Sequence, residues 1–296
     1  MNILNKTIKD LDQIDKLSKY KIKELCLTND FSIIQLNDGA IGSSLNYANT
    51  YCFKIEYDPI AYQIFLKQYA NNNDNLLLNY LGNSNKLQDT SVSNSIISAL
   101  SQKFLNKQFL KKYKINFKKI NDFEGINEIF KEKINEKTNV TIIGFEGLTK
   151  HFLKIPHIKN LYLVDYNFSP ARGKFYNLAI LSLKELLAEK ENKAKVIIDE
   201  GKRLKEMIYN SDLLIISGST LSNNTLENIL SYAKNKWIVL QGPSCSILPF
   251  QLFNAGVTDV FTTQKDIAEL KYVQSDKKKS NNIFDKNYVY ITKGYV

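Results

Sequence analysis

Cysteine is scarce in this chain: Cys26, Cys52 and Cys245 stand far apart among 296 residues. An odd number at such spacing excludes a disulfide framework and suits a reducing compartment. Histidine is scarcer still, with only His151 and His157. That separation does not place both on one helical face as an i, i+4 pair would be, and no two cysteines have metal-ligand spacing. A metal held by nitrogen and sulfur is therefore not expected; hard oxygen ligands such as Asp38, Asp165 or Asn167 would be needed, or a metal that arrives already chelated. Neither histidine lies near a hydroxyl-rich loop in sequence, which argues against a nucleophilic triad. Five prolines and 12 glycines are too few for a disordered or fibrous chain. No apolar run approaches the roughly 18 to 20 residues that span a bilayer, and residues 1–20 are polar and alternately charged, unlike an export signal. A cytoplasmic protein without a membrane partner is expected.

What is abundant is lysine. Forty Lys and Arg against 30 Asp and Glu give a net charge of +10. Clustered cations would suggest nucleic acid, because they neutralise phosphates and release counterions. Here the clusters are short, at Lys111-Lys112, Lys118-Lys119 and Lys277-Lys278-Lys279, and the remaining lysines are scattered through an Asn-rich chain. Such a distribution is a solvated face, and nucleic acid is not the expected partner.

The length allows two domains of about 100 to 200 residues each. In the first, residues 5–20 carry Ile8, Leu11, Ile14 and Leu17 at helical spacing, and strand-like segments follow at 22–27 and 31–36. Asn37-Asp38-Gly39 has hairpin chemistry, since Asp-Gly accepts the positive φ of a tight turn. The chain is expected to return through residues 40–48. Helical spacing recurs at 59–69 and 91–105. Strands first and helices after suggest a small α+β layer. The polar segment Gly42-Ser43-Ser44-Leu45-Asn46 either lines a site or forms an edge strand facing water.

Residues 106–121 are basic with little periodicity and read as a linker, with Asp122 opening a helix to about residue 135. Domains of 1–118 and 119–296 follow. Beyond the linker, short uninterrupted apolar runs at 140–143, 161–164, 196–198, 213–216, 237–240 and more weakly 259–262 alternate with helical segments. That pattern is a parallel sheet buried on both faces by crossover helices.

In such sheets ligands bind beyond the carboxyl ends of the strands. Gly144-Phe145 follows the first run without the full GxGxxG spacing. Asp165, with Asn167, follows the second, where nucleotide-binding domains keep an acid for a ribose hydroxyl. The fourth run leads into Gly218-Ser219-Thr220, then Asn223, Asn224, Thr225 and Glu227. Asn224 with Glu227 matches a capping box, so a helix is expected to start there and offer free N–H groups to an anion. The fifth run leads into Gly242-Pro243-Ser244-Cys245, with Pro243 suited to an early helical position. Ser, Thr and Asn are also ordinary caps, so what distinguishes these loops is their pairing on consecutive strands. Cys245 reads as a small buried hydrophobe rather than a catalyst.

The stretch 212–227, DLLIISGSTLSNNTLE, together with Gln241-Gly242-Pro243-Ser244 and residues 252–257, LFNAGV, resembles a family of heavy-metal chelation proteins of unknown function. In that family an enolase N-terminal-like domain precedes a Rossmann-like domain. Residues 38–42, DGAIG, and the helix at 93–100 resemble its first half more loosely. The resemblance implies an α/β chain with a smaller enolase-N-like α+β domain before the Rossmann-like sheet, and a ligand site in the interdomain cleft. One departure is the segment 165–174 with an added helix and the strand at 196–198, which makes the sheet more like a complete nucleotide-binding one.

Two functions compete. The first is a small-molecule or metal-chelate binder without turnover, in which Gly42, Ser43 and the loops above hold an anionic ligand or metal chelate; a homodimer is the candidate assembly. The second is an enzyme using a nucleotide-type cofactor such as S-adenosylmethionine, resting on Gly144, Asp165 and the extra strand. Glu146, Asp165 and Asp199 lie near strand ends, yet spacing names no acid–base pair among them.

Overall fold

The computed structural model describes residues 2–27, 31–45, 87–120, 124–131, 133–145, 149, 155, 157–188, 193–264 and 288–294. Helix α1 (Ile3–Ile14) starts at Asn2, whose side chain accepts the N–H of Asn5, and buries Ile3, Leu4 and Leu11. Strands β1 (Ile22–Leu27), β2 (Phe31–Leu36) and β3 (Ile41–Leu45) form an antiparallel three-stranded sheet in that order. The expected hairpin joins the last two: Gly39 has φ of 89°, and Asp38 Oδ1 accepts the Ala40 N–H at 3.0 Å. The helix expected at 59–69, Cys52 and residues 46–48 of the return strand lie outside the described residues.

Helix α2 (Leu87–Ser101) covers β2 and β3. It is built from small residues, and Ser91, Ser93, Ser95, Ser98 and Ser101 are all buried with Val92, Ile96 and Ile97. Small side chains let helix and strand approach closely, and Gly42 completes the fit. A Cβ there would stand 2.0 Å from the Ser95 carbonyl oxygen and 2.2 Å from the Ala99 nitrogen. The water-facing reading of Gly42, Ser43 and Ser44 is therefore overturned. β3 does lie at a sheet edge, yet all three residues are buried.

The basic stretch read as a linker instead forms α3 (Lys107–Lys111) and β4 (Ile115–Ile120). β4 hides its pattern because only Ile115 and Ile120 are buried while Lys118 and Lys119 face water, as on many edge strands. There follow α4 (Glu124–Lys131), β5 (Thr138–Ile143), β6 (Ile158–Val164), α5 (Lys174–Ala188), β7 (Lys195–Asp199), α6 (Leu204–Tyr209) and β8 (Leu213–Ser217). Then come α7 (Ser219–Ser222), α8 (Leu226–Ser231), β9 (Trp237–Gln241), α9 (Phe250–Asn254), β10 (Asp259–Thr263) and β11 (Tyr288–Lys293).

All six expected strands of the second half appear, in one eight-stranded sheet of order β4-β11-β10-β9-β8-β5-β6-β7. Strands β5 to β10 run parallel, while β11 is antiparallel to β10 and β4. The strand order reverses between β5 and β8. Every residue of β8 is buried, which is why its sequence is an unbroken apolar run. Leu214, Ile216, Leu240 and Val260 face a core shared with Ile34, Val92 and Ile96 of the small sheet and its helix. Leu213, Ile215, Val239 and Phe261 face the other core, closed by Phe130 and Leu183. No helix among the described residues is long and apolar enough to cross a membrane.

Candidate functional site

At the carboxyl edge of the parallel strands the first amide after each strand extends the ladder: Gly144 N–H to Val164 O at 2.9 Å, Asp165 N–H to Asp199 O at 3.1 Å, Gly218 N–H to Gln241 O at 2.5 Å and Gly242 N–H to Phe261 O at 2.9 Å. The loops thus leave the sheet at one level. Because the order reverses between β5 and β8, the loops beginning at Gly144 and Gly218 start as neighbours. They touch closely: a Cβ on Gly144 would lie 2.6 Å from Ser217 Cβ. A Cβ on Gly218 would lie 2.9 Å from the backbone nitrogen of Cys245, so the next loop is equally tight.

Around Gly144 the sheet end is organised by Asp165. Its carboxylate accepts the N–H of Phe145 and that of Asn167, both at 2.7 Å, and the Phe145 ring rests on Phe168. Burial pushes the Asp165 carboxyl above its ordinary range, and the two N–H groups with Arg172 offset only part of that. The folded state therefore holds this proton to higher pH than the unfolded chain does. The resulting stability is complete below the ordinary carboxylate value and is lost as pH rises through the raised one. Urea titrations of wild type and Asp165→Ala across pH should show the wild-type advantage shrinking upward from about pH 4. An advantage that grows with pH would mean that the charged form is the favoured one.

Ser217, the last residue of β8, shares a 2.7 Å hydrogen bond with the Ser219 hydroxyl, and its carbonyl accepts the Thr220 hydroxyl at 2.7 Å. Ser219 is partly exposed; Thr220 is buried. Asn223 Oδ1 accepts both the N–H and the hydroxyl of Thr225. The expected capping box is not formed. Asn224 has φ of 58°, a left-handed conformation that cannot cap, and α8 starts after Thr225 without a side-chain cap. Glu227 turns instead to the start of α1, where its Oε1 accepts the Ile3 N–H at 2.8 Å and satisfies one of that helix's free donors.

After β9, Pro243 opens a 3₁₀ turn as expected for an early helical position. Gly242 and Pro243 are partly exposed, whereas Ser244 and Cys245 are buried. The Ser244 hydroxyl accepts the Leu45 N–H at 2.9 Å, and its carbonyl accepts Asn94 Nδ2 at 2.8 Å. Asn94 Nδ2 also reaches the hydroxyls of Ser44 and Ser222, which hydrogen-bond each other. Ser98 and Ser246 continue this seam at 2.6 Å. It ties β3 and α2 to the loops after β8 and β9.

Two sets of the expected residues thus separate. Gly144, Phe145, Asp165, Asn167 and Ser219 adjoin on the edge at the order reversal, while Gly42, Thr220 and Ser244 are enclosed in packing. Ser43 lies on the opposite face of β3 from the seam, buried, with no hydrogen-bond partner for its hydroxyl. Sequence reasoning missed Gln241. It pairs with Ser217 across β8 and β9, is 3% exposed, and its Nε2 has no hydrogen-bond partner. The signals were a polar residue directly after an apolar run and its place in the stretch Gln241-Gly242-Pro243-Ser244 that carries the family resemblance.

Among the described residues no group of three or more His, Cys, Asp and Glu could hold a metal. His157 is an exposed residue 3.6 Å from Glu136, Asp38 sits in the β2–β3 turn, and His151 and Glu146 lie outside the described residues. Asp199 is held below its ordinary range: burial opposes ionisation, but the Arg203 and Gly201 N–H groups and the Arg203 guanidinium outweigh it. An open cavity of about 440 Å³ is lined by Ile14, Asp15, Lys103, Phe104 and Phe109, not by any residue of this edge.

A family model described as DUF364, "Putative heavy-metal chelation", matches residues 129–273. The matched stretch contains β5 to β10, with both hydroxyl-rich loops. Two solved structures of DUF364 proteins of unknown function share the fold. The one from Pyrococcus horikoshii is 17% identical, with a TM-score of 0.65 over 97% of this chain and 99% of that one. The one from Desulfitobacterium hafniense is 16% identical, with a TM-score of 0.62 over 97% and 98%. No curated protein matches the chain.

Proposed function

We propose that the chain is a small-ligand binder of the DUF364 type, taking an anionic ligand or a metal chelate at the carboxyl edge of its parallel sheet. On this reading β5 to β10 are a Rossmann-like unit, and the small sheet with α2 is an enolase-N-like one packed on the sheet face opposite to Gln241. The observation that carries it is Gln241: a buried amide donor without a partner at the end of β9, paired in register with Ser217 of β8, whose hydroxyl in turn meets that of Ser219. An unpaired buried donor costs about 1 to 3 kcal/mol, and an anionic oxygen would satisfy it. With no group of three or more His, Cys, Asp and Glu among the described residues, this reading takes a metal together with its chelator.

A second reading, a nucleotide-type cofactor such as S-adenosylmethionine, is favoured by Asp165 at the end of the strand next to β5. Thermal shift separates the two, since a ligand of the folded state raises the midpoint by mass action. The proposal expects a shift with chelated metal that Ser219→Ala and Gln241→Met each weaken by about tenfold in affinity. Gln241→Met should leave the unliganded midpoint unchanged or higher, because it removes the unpaired donor. A shift with nucleotide or S-adenosylmethionine alone, abolished by Asp165→Ala, would replace the proposal with the second reading. Ser244 is unsuitable for this test because its hydroxyl already joins β3 to the loop.

A further inference from the structure

The cavity beside α1 and α3 belongs neither to the hydroxyl-rich loops nor to the edge where the strand order reverses. Its volume of about 440 Å³ falls in the range of small-ligand pockets, which combine apolar walls with a few placed polar groups. The apolar wall is Ile14, Phe104 and Phe109. The two rings stand 4.9 Å apart, and Phe109 is backed by Tyr113 at 5.2 Å and Phe250 at 6.5 Å. Asn106 fixes the turn between them: its Oδ1 accepts the Phe109 N–H at 2.9 Å, and its Nδ2 donates to the Lys103 carbonyl at 2.7 Å.

The charged groups of the lining are Lys103, Lys112 and Asp15. Lys103 is not a loose surface lysine. Its ammonium meets the Asp15 carboxylate and lies 4.4 Å from the centre of the Tyr20 ring and 5.0 Å from that of Phe104. Asp15 also pairs with Lys19 and accepts the Tyr20 hydroxyl at 2.6 Å, so its negative charge is shared by two lysines. Lys112, exposed, adds a third cation. The surrounding chain reinforces the sign, since residues 90–121 hold seven lysines and no Asp or Glu. A cleft of positive potential draws anions, and aromatic walls draw flat apolar groups. We propose that this cavity binds a small aromatic anion, an aryl phosphate or carboxylate, with its ring against Phe104 and Phe109 and its negative group facing Lys103 and Lys112.

Phenyl phosphate, inorganic phosphate and phenol, titrated by calorimetry into the full chain, divide the ligand into its halves. Phenyl phosphate is expected to bind about tenfold or more tightly than either half, because ring and anion contribute together. Lys112→Glu should weaken it about fivefold, with a smaller loss at high salt. Gln108→Trp, at an exposed lining position, should abolish binding by filling the cavity. Both residues are exposed, so neither variant should move the thermal midpoint of the unliganded protein. Phosphate binding as tightly as phenyl phosphate would leave only a basic surface, and phenol doing so only an apolar one. Either result, no binding of phenyl phosphate at millimolar concentration, or binding that survives Gln108→Trp would overturn the proposal.

Discussion

Gly42→Ala should cost the fold about 3 kcal/mol or more, near the top of the range for overpacking. The added carbon would overlap backbone atoms, the Ser95 carbonyl at 2.0 Å and the Ala99 nitrogen at 2.2 Å, so no side-chain rotation can relieve it. Relief requires α2 to move off β3, and α2 carries Asn94, Ser98 and Ser101, which bond to the loops after β8 and β9. A lower urea midpoint with an unchanged slope would report this loss. Gly39→Ala provides the comparison. Nothing lies within 4 Å of its added carbon, and only the positive φ opposes it, at about 1 kcal/mol. If the two variants lose equal stability, the close contact of helix and strand is not what makes Gly42 necessary.

Asp259→Ala should be nearly as damaging, at about 3 kcal/mol. Its buried carboxyl accepts the Trp237 indole N–H at 2.5 Å, the Tyr290 hydroxyl at 2.5 Å and the Thr258 hydroxyl at 2.8 Å. Removing it takes an acceptor from donors on β9 and β11 together. These bonds lie at the amino end of β10, opposite the edge where Gln241 and Ser219 sit, so at temperatures where the variant is folded its ligand-induced shift should match that of wild type. Asp259→Asn, which keeps one acceptor, should recover part of the loss. A variant that keeps full stability would show that the Trp237 and Tyr290 donors find other partners.

The parallel strands were legible because burial on both faces of the central ones fills most of their positions with apolar residues, as at 213–216 of β8. β4 was not legible: among the described strands it meets a neighbour on one side only, so lysines at 118 and 119 are compatible with its pairing and erase the alternation. Loop chemistry was partly legible. Gly144, Asp165 and Gly218 sit at strand ends because the apolar runs stop there, but Asn224 and Glu227 had capping identities without capping geometry. What decided their roles was the start of α1, which approaches Glu227 from more than two hundred residues away in sequence. Ser244 likewise has the composition of a ligand loop and is occupied by Leu45. Gln241 was illegible for the opposite reason, since a missing partner is a property of surroundings and not of residue type.

The position of β11 between β10 and β4 has a consequence for biosynthesis. Among the described strands β4 pairs with β11 alone, yet about 170 residues separate the two. At roughly 5 to 20 residues per second, a ribosome takes on the order of 10 to 30 s to make them. Throughout that interval β4 lacks the one described strand that it pairs with, and once β10 is made it presents an open flank, with Val260 and Phe261 lacking their partners Ile291 and Tyr290. Nascent chains should therefore depend most on chaperone protection after β10 has been translated and before β11 emerges, and slowing translation in that window should lower the yield of soluble protein.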